Sequence, residues 1–287
     1  MRYAVSLPNF GAHADCRALA ELAHEAETAG WDGFFIWDHI LFAPGGLAMS
    51  DPWVALAAVA LRTARIRIGT LVTPLPRRRP WKLARETVSL DRLSGGRLTL
   101  GVGLGDPAAE EFGAFGEETN ARHRAGLLDE GLDVLAGLWS GAPFRYAGAH
   151  YRLDEMTFLP APAQTPRIPI WVACTWPHRA PLRRAARWDG VFPLREDARL
   201  TPDDVRAIRA DVARQRTADA PFDVLVSGET PGERPAAWGA IVAPYIEAGA
   251  TWWIEDLCMW RFDRDWDDPW PTEQIRERVR QGPPRAA

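Results

Sequence analysis

The sequence contains almost no lysine: Lys82 is the only lysine among 34 basic residues, and it falls in a segment with a helical pattern. Enzymes that form a Schiff base need a lysine that projects into the active site. Aldolase chemistry and pyridoxal phosphate chemistry are therefore poor interpretations. The net charge is −4 and the arginines form no concentrated basic face beyond the run at 77–79, so we expect no binding to nucleic acid.

Cysteines and long apolar runs are also scarce. Cys16, Cys174 and Cys258 lie far apart, which is typical neither of a disulfide framework nor of a metal site. The acids at 263–269 alternate as in a calcium loop, but the loop's glycine and final glutamate are missing. No window holds the ~18 apolar residues of a membrane span, and the segment MRYAVSLPNF is not an apolar leader. We expect a cytoplasmic protein without a membrane segment or a bound metal.

What the sequence does contain is a regular alternation of short β-rich runs and longer helical patterns. The predicted strands cover residues 3–7, 33–37, 66–71, 98–102, 168–173, 190–192, 222–226 and 251–255. Eight such units in 287 residues predict a (β/α)8 TIM barrel, with residues 1–287 as a single domain. A doubly wound sheet is the competing fold, but its nucleotide motif normally lies in the first unit. Two β-rich arms around a glycine predict a hairpin inserted at about 140–167.

Functional residues of such barrels follow the carboxyl ends of the strands. Asp38 and His39 follow the second predicted strand, and an imidazole there can transfer protons near neutral pH. A histidine that only bonds a loop carbonyl is the alternative, and Asp38 either orients His39 or caps the loop. Asp106 ends the segment GVGLGD after the fourth strand. Glycines such as Gly103 allow either close approach of a flat ring or tight packing of the rim.

Two segments could bind an anion. After the fifth barrel strand, Thr175, Trp176, Pro177, His178 and Arg179 begin a helix, whose free N–H groups and arginine could hold a phosphate. An ordinary helix start is the alternative. The arginine run 77–79 could meet an anionic tail, although a solvated surface run is the more common explanation.

Several segments together resemble the luciferase-like monooxygenase superfamily of flavin- and deazaflavin-dependent oxidoreductases. They include RYAVSLPNF, GWDGFFIWDHI, EEFGAFG and IPIWVAC, in the family's order, and they span most of residues 1–192. The resemblance implies a (β/α)8 barrel with inserted segments that transfers a hydride between coenzyme F420 and a small organic substrate. Because WDHI is more similar to deazaflavin-dependent relatives, F420 is preferred, with an FMN-dependent monooxygenase as the alternative.

The resemblance also implies roles for individual residues. His39 matches a catalytic histidine, and Asp106 falls where some members place an acidic proton donor. Thr70, Leu71 and Val72 fall where many members carry a non-prolyl cis peptide behind the ring, with Asp38 and Gly103 beside them as further cofactor-binding candidates. The segment 175–180 matches the phosphate loop, although relatives are richer in glycine there.

Three further hypotheses follow. A barrel glycosidase would use two carboxylates, for which Asp106 and Glu229 are the candidates. A relative without turnover would bind a flavin only. Finally, members of this superfamily commonly pair through their outer helices, so we expect a homodimer in which a surface tryptophan such as Trp53 or Trp81 is buried.

Overall fold

The strands and helices alternate along the chain in a computed structural model that describes residues 1–42, 46–196, 198–216, 220–232 and 235–283. The strands are β1 (Arg2–Leu7), β2 (Gly33–Ile36), β3 (Arg67–Pro74), β4 (Leu98–Gly103), β5 (Pro143–Ala147), β6 (Arg152–Thr157), β7 (Ile170–Thr175), β8 (Gly190–Leu194), β9 (Asp223–Gly228) and β10 (Trp252–Asp256). The helices are α1 (Cys16–Thr28), α2 (Pro52–Arg62), α3 (Pro80–Leu93), α4 (Ala108–Glu111), α5 (Ala121–Trp139), α6 (Arg179–Ala185), α7 (Pro202–Gln215), α8 (Pro235–Ala248) and α9 (Thr272–Arg280).

All strands except β5 and β6 form a closed parallel barrel in chain order, in which β10 pairs with β1. This confirms the predicted (β/α)8 barrel. The strand bounds agree with the sequence pattern to within a few residues; the largest difference is in β3, which continues through Pro74 instead of ending at 71. Strands β5 and β6 form the antiparallel hairpin predicted within 140–167. Glu130 on α5 anchors the hairpin by accepting backbone N–H bonds from Ala149, His150 and Tyr151.

Large side chains fill the interior of the barrel. Phe35, Trp171, Phe192, Leu225 and Trp252 belong to one buried cluster, and the rings of Trp171 and Trp252 lie 5.1 Å apart. A second, larger cluster lies between the strands and the surrounding helices. Because the barrel is packed rather than hollow, a ligand cannot bind in its interior, and the ends of the strands are where a site is expected.

Local signals in the sequence explain where the helices begin and end. Asp51 caps α2 by accepting bonds from the N–H groups of Trp53 and Val54. Thr201 and Asp204 form a capping box at the start of α7, with Pro202 at the first helical position. Gly30 has a φ of +90° just after α1, a conformation that glycine adopts at little cost. Among the helices of the described residues, none combines the length and apolar character that crossing a bilayer requires.

One expectation about the outer surface was wrong. Trp53 lies on the inward face of α2 with Leu56 and is only 7% exposed, under the guanidinium of Arg78 at 5.8 Å from the ring centroid. It therefore cannot be the tryptophan that a second subunit covers. Trp81 on α3 is 38% exposed and stays available for that role.

We predict that Gly69→Ala destabilises the barrel. A Cβ at residue 69 on β3 would lie 1.9 Å from the carbonyl oxygen of Thr99 on β4, so the backbone of the barrel would have to move. Such overpacking costs roughly 1–3 kcal/mol or more. The matched control is Gly239→Ala on α8, where nothing lies within 4 Å of the added Cβ and where alanine should add up to about 1 kcal/mol of helix stability. Urea unfolding of both variants checks this; equal effects would contradict the assigned packing of β3 on β4.

Candidate active site

A cavity of about 720 Å³ opens at the carboxyl ends of the barrel strands. Seven residues that the sequence singled out line it together: Asp38, His39, Leu71, Val72, Gly103, Asp106 and Thr175. They come from the ends of β2, β3, β4 and β7. The barrel thus brings these separate strand ends to one place, as strand order requires.

His39 is held by a carboxylate that follows β4. Its Nδ1 lies 3.0 Å from Oε1 of Glu111, whose side chain is 1% exposed. Glu111 also accepts backbone N–H bonds from Ile40 and Leu41 and is ion-paired with Arg77. Because Glu111 accepts bonds from a cation and from amides, it is an ionised acceptor, so a neutral His39 carries its proton on Nδ1. Nε2 is then the acceptor that His39 can offer to the cavity.

The protonation state of His39 differs from the expectation of titration near neutral pH. Burial and the neighbouring Arg77 guanidinium lower the pKa of His39 to about 4, although Asp38 and Asp106 act in the opposite direction. The imidazole is therefore neutral near pH 7.

Asp38 holds the loop rather than orienting His39. Its carboxylate accepts bonds from Arg77 Nη2 at 2.8 Å, Arg78 Nη2 at 2.7 Å and the hydroxyl of Thr73 at 2.8 Å. The structure thus supports the loop-capping alternative. The interpretation of the arginine run as a solvated surface was wrong for Arg77 and Arg78, whose side chains are 4% and 16% exposed, whereas the docking of an anionic tail stays a prediction. The physical reason is that buried carboxylates need cationic partners.

A flat apolar wall faces His39 from β3, β4 and β7. The Leu71–Val72 peptide bond is cis, as the resemblance implied. At Gly103, a Cβ would lie 2.8 Å from Cγ2 of Val72, so only glycine fits without displacing that side chain. Thr70 lies behind this wall, fully buried, with its hydroxyl donating to the carbonyl of Gly101 at 3.1 Å. It supports the wall and does not line the cavity.

The predicted phosphate loop reaches the cavity only at Thr175. The next residues turn outward: the indole of Trp176 donates to Asp204 at 2.8 Å, and Arg179 pairs with Asp211 at 2.7 Å. Pro177 and His178 are exposed on the outer surface. The cations at the cavity are instead Arg124, Arg184 and Arg195, which sequence reasoning did not select.

Glu111 and Arg124 are the other residues that the sequence reasoning missed. Arg124 is 5% exposed and donates to the carbonyls of Leu104 and Gly105 at 3.0 and 2.8 Å, which fixes the loop that carries Asp106. The only sequence signal for Glu111 was its place in the segment EEFGAFG. No feature of that segment distinguishes Glu111 from the neighbouring Glu110. Helical periodicity on α5 could have indicated that Arg124 faces inward with Leu128.

The pair of carboxylates proposed for a glycosidase is not brought together at the cavity. Glu229 is ion-paired with Arg199 and does not line the cavity that contains Asp106. Within the described ranges, no group of three or more His, Cys, Asp or Glu side chains is arranged to hold a metal ion.

The chain is similar to known proteins of one family. The family model described as luciferase-like monooxygenase matches residues 1–256. An F420-dependent glucose-6-phosphate dehydrogenase of Nakamurella multipartita is 35% identical over 164 residues, which are 55% of this chain and 47% of the relative. An F420-dependent hydroxymycolic acid dehydrogenase of Mycobacterium tuberculosis is 35% identical over 168 residues, 57% of this chain and 45% of the relative. The chain thus spans less than half the length of these two relatives.

Two solved structures illustrate the likeness of the fold. The monooxygenase RslO1 of Streptomyces bottropensis superposes with a TM-score of 0.67 and 26% identity, over 86% of this chain and 78% of its own. An F420-dependent secondary alcohol dehydrogenase in complex with an F420–acetone adduct has a TM-score of 0.72 over 89% of this chain and 93% of its own. Because the identity to the latter is 16%, that likeness concerns the fold alone.

We predict that the buried histidines make the fold acid-sensitive. Burial lowers the pKa of His13 to about 4, as it does for His39. Unfolded histidine binds its proton near pH 6.5, so the unfolded state gains protons first as pH falls, and stability is lost between about pH 6.5 and 4. Each group contributes up to about 1.4 kcal/mol per pH unit.

Urea unfolding at pH 7 and pH 5 measures this loss. His13→Gln should lose roughly 1–2 kcal/mol less than the wild type over that interval. His123→Gln, at a side chain that is 48% exposed, is the control for the substitution itself. An identical pH dependence in all three proteins would contradict the neutral, buried state of His13.

Proposed function

Because this chain belongs to the luciferase-like monooxygenase family, we propose that it is an F420-dependent oxidoreductase that transfers a hydride between the deazaflavin and a small organic substrate. The observation that carries the proposal is a neutral imidazole, His39, that offers Nε2 to a cavity with a flat apolar wall. The F420-dependent dehydrogenases among its relatives support the same chemistry.

The residues at the cavity fit a flavin-type group. Leu71, Val72, Gly103 and Ala173 form an apolar surface on which a flat ring can lie, because no side chain projects from Gly103. The guanidinium groups of Arg124 and Arg184 line the same cavity. Arg184 is paired with Asp129 through Nε and Nη2, so its Nη1 is the donor that would hold a phosphate. When bound, a deazaflavin supplies two-electron hydride-transfer chemistry.

In this proposal, His39 moves the proton that accompanies the hydride. As a substrate alcohol is oxidised, Nε2 accepts the proton of its hydroxyl group, and Glu111 stabilises the imidazolium through Nδ1. Asp106 lines the same cavity, and its charge acts on His39, so we assign it to a second proton site. In the reverse direction the same groups return the proton.

An FMN-dependent monooxygenase is the second candidate. It is favoured by the 26% identity to the monooxygenase RslO1, which extends over 86% of this chain. The flat wall and the cations of the cavity would accommodate FMN as well. The two candidates therefore differ in the cofactor and not in the site.

Oligomeric state and location complete the proposal. Leu61 on α2 is 74% exposed, and Trp81 and Leu93 on α3 are 38% and 47% exposed. Apolar side chains on two adjacent outer helices suit a contact between two copies of the chain. We propose a cytoplasmic homodimer that forms through these helices.

We predict that the protein binds F420 more tightly than FMN. Fluorescence titration should give a Kd in the low micromolar range for F420 and a value at least about 10-fold higher for FMN. Arg184→Ala should weaken binding roughly 10-fold by removing a charged hydrogen-bond donor. Arg187→Ala is the matched control, because Arg187 pairs with Asp133 at 2.6 Å outside the cavity. Tight binding of FMN without binding of F420 would reject the deazaflavin and retain the site.

We predict that His39→Ala lowers turnover by roughly 100-fold or more while the cofactor still binds, because only the proton acceptor is removed. Turnover is measured as deazaflavin reduction with a panel of primary and secondary alcohols. His123→Ala, a change on the outer surface, should keep the wild-type rate. If His39→Ala retains that rate, the assigned role of the imidazole is wrong.

A further inference from the structure

Strand alternation places Asp256 on the inner side of the barrel mouth. On β10, Trp252 and Ile254 belong to the inner cluster, whereas Trp253 packs with the outer one. Asp256 is therefore the next residue of β10 to point inward. On β1, Ala4 belongs to the inner cluster, so Ser6 points inward too, and Ser6 is paired in register with Asp256.

Asp256 has an unfilled acceptor. The thiol of Cys258 is hydrogen-bonded to its carboxylate, but within the described residues the buried Oδ1 has no hydrogen-bond partner. The nearby cation Arg199 is paired with Glu229 instead. Burial raises the pKa of Asp256 to about 6. An unsatisfied buried acceptor costs about 1–3 kcal/mol, so a hydroxyl donor that reaches Oδ1 would gain a hydrogen bond of that order.

The mouth of the barrel is therefore divided into two halves. The half formed by β3, β4 and β7 presents the apolar wall, and the half formed by β1 and β10 presents Ser6 and Asp256. Trp37 joins the halves, since it lines the cavity and donates from Nε1 to the hydroxyl of Ser6 at 3.1 Å. Ser6 and Asp256 are thus separated from the cavity by the side chain of Trp37.

Aromatic side chains extend from Trp37, which contacts Ser6, toward the solvent. The ring of Trp37 lies 6.3 Å from that of Trp260, which in turn lies 5.0 Å from Trp266. Trp260 is 55% exposed, so a large aromatic face is open to solvent at the mouth. Aromatic faces of this kind bind flat apolar groups.

We propose that Asp256 is a substrate-binding residue that accepts a hydrogen bond from a hydroxyl group of an aromatic substrate packed against Trp37 and Trp260. This substrate class rests on the proposed oxidoreductase function. Anionic substrates are disfavoured, because a second negative charge beside a buried carboxylate is repelled and Arg199 is already neutralised. Substrates without a donor leave Oδ1 unpaired and bind less tightly.

Calorimetric titration with three matched naphthalenes tests this inference, with and without saturating F420. The probes are 2-naphthol, which has a hydroxyl donor, 2-methoxynaphthalene, which lacks one, and 2-naphthoate, which is anionic. The wild type should bind 2-naphthol at least about 10-fold more tightly than the other two. Asp256→Leu should abolish this preference, and Asp256→Asn, which keeps the size and an acceptor, should reduce it several-fold. Asp267→Asn, an exposed acid nearby, is the control and should keep it.

The outcomes separate this inference from the proposed function. Equal binding of 2-naphthol and 2-methoxynaphthalene by the wild type, or a preference that persists in both Asp256 variants, would overturn the role of Asp256. If F420 binds under either result, the cofactor proposal stands. A preference that depends on Asp256 in a protein that binds no deazaflavin would support the binding role and reject the cofactor.

Discussion

Two carboxylates, Asp38 and Glu111, are buried at the rim of the barrel, and the structure around them is arranged so that neither charge is left unpaired. Arg77 contacts both of them, and Arg78 adds a second bond to Asp38. Leaving one such charge without its partner costs about 3–5 kcal/mol. This constraint ties the end of β2, the turn after β3 and the short helix α4 into one unit.

The state of His39 is a consequence of this ion-pair cluster. The ring touches the cluster through Glu111, which fixes the proton on Nδ1, and the positive charge of Arg77 together with burial keeps the ring neutral. The same contacts that stabilise the rim therefore leave Nε2 of His39 as the hydrogen-bond acceptor that the ring offers to the cavity. Stability and chemistry depend on the same four charged side chains.

The packed interior determines where ligands can bind. Phe35, Trp171 and Trp252 fill the barrel, while Gly69 and Gly101 allow the backbones of neighbouring strands to approach closely; a Cβ at Gly101 would lie 2.2 Å from the carbonyl of Thr70. The interior of the barrel therefore leaves no space for a ligand, and the cavity that collects the strand-end residues lies at the mouth. There the apolar wall from β3, β4 and β7 suits a flat cofactor, and Asp256 with its aromatic neighbours gives the opposite half a different chemistry.

The sequence by itself determined the strand order, the barrel and the positions of His39 and Asp106 after their strands, because period-two and period-3.6 patterns are local signals. The Leu71–Val72 pair was indicated by the family resemblance and lies within β3. Only the tertiary structure decided which charges meet: Arg77 and Glu111 are 34 positions apart, and the pair forms because the parallel pairing of β3 with β4 brings the segments that follow these strands together. For the same reason Trp53 and the segment from Trp176 to Arg179 were misplaced. Whether a side chain faces solvent or its neighbour depends on the packing of elements that are distant in sequence, and no local pattern records that packing.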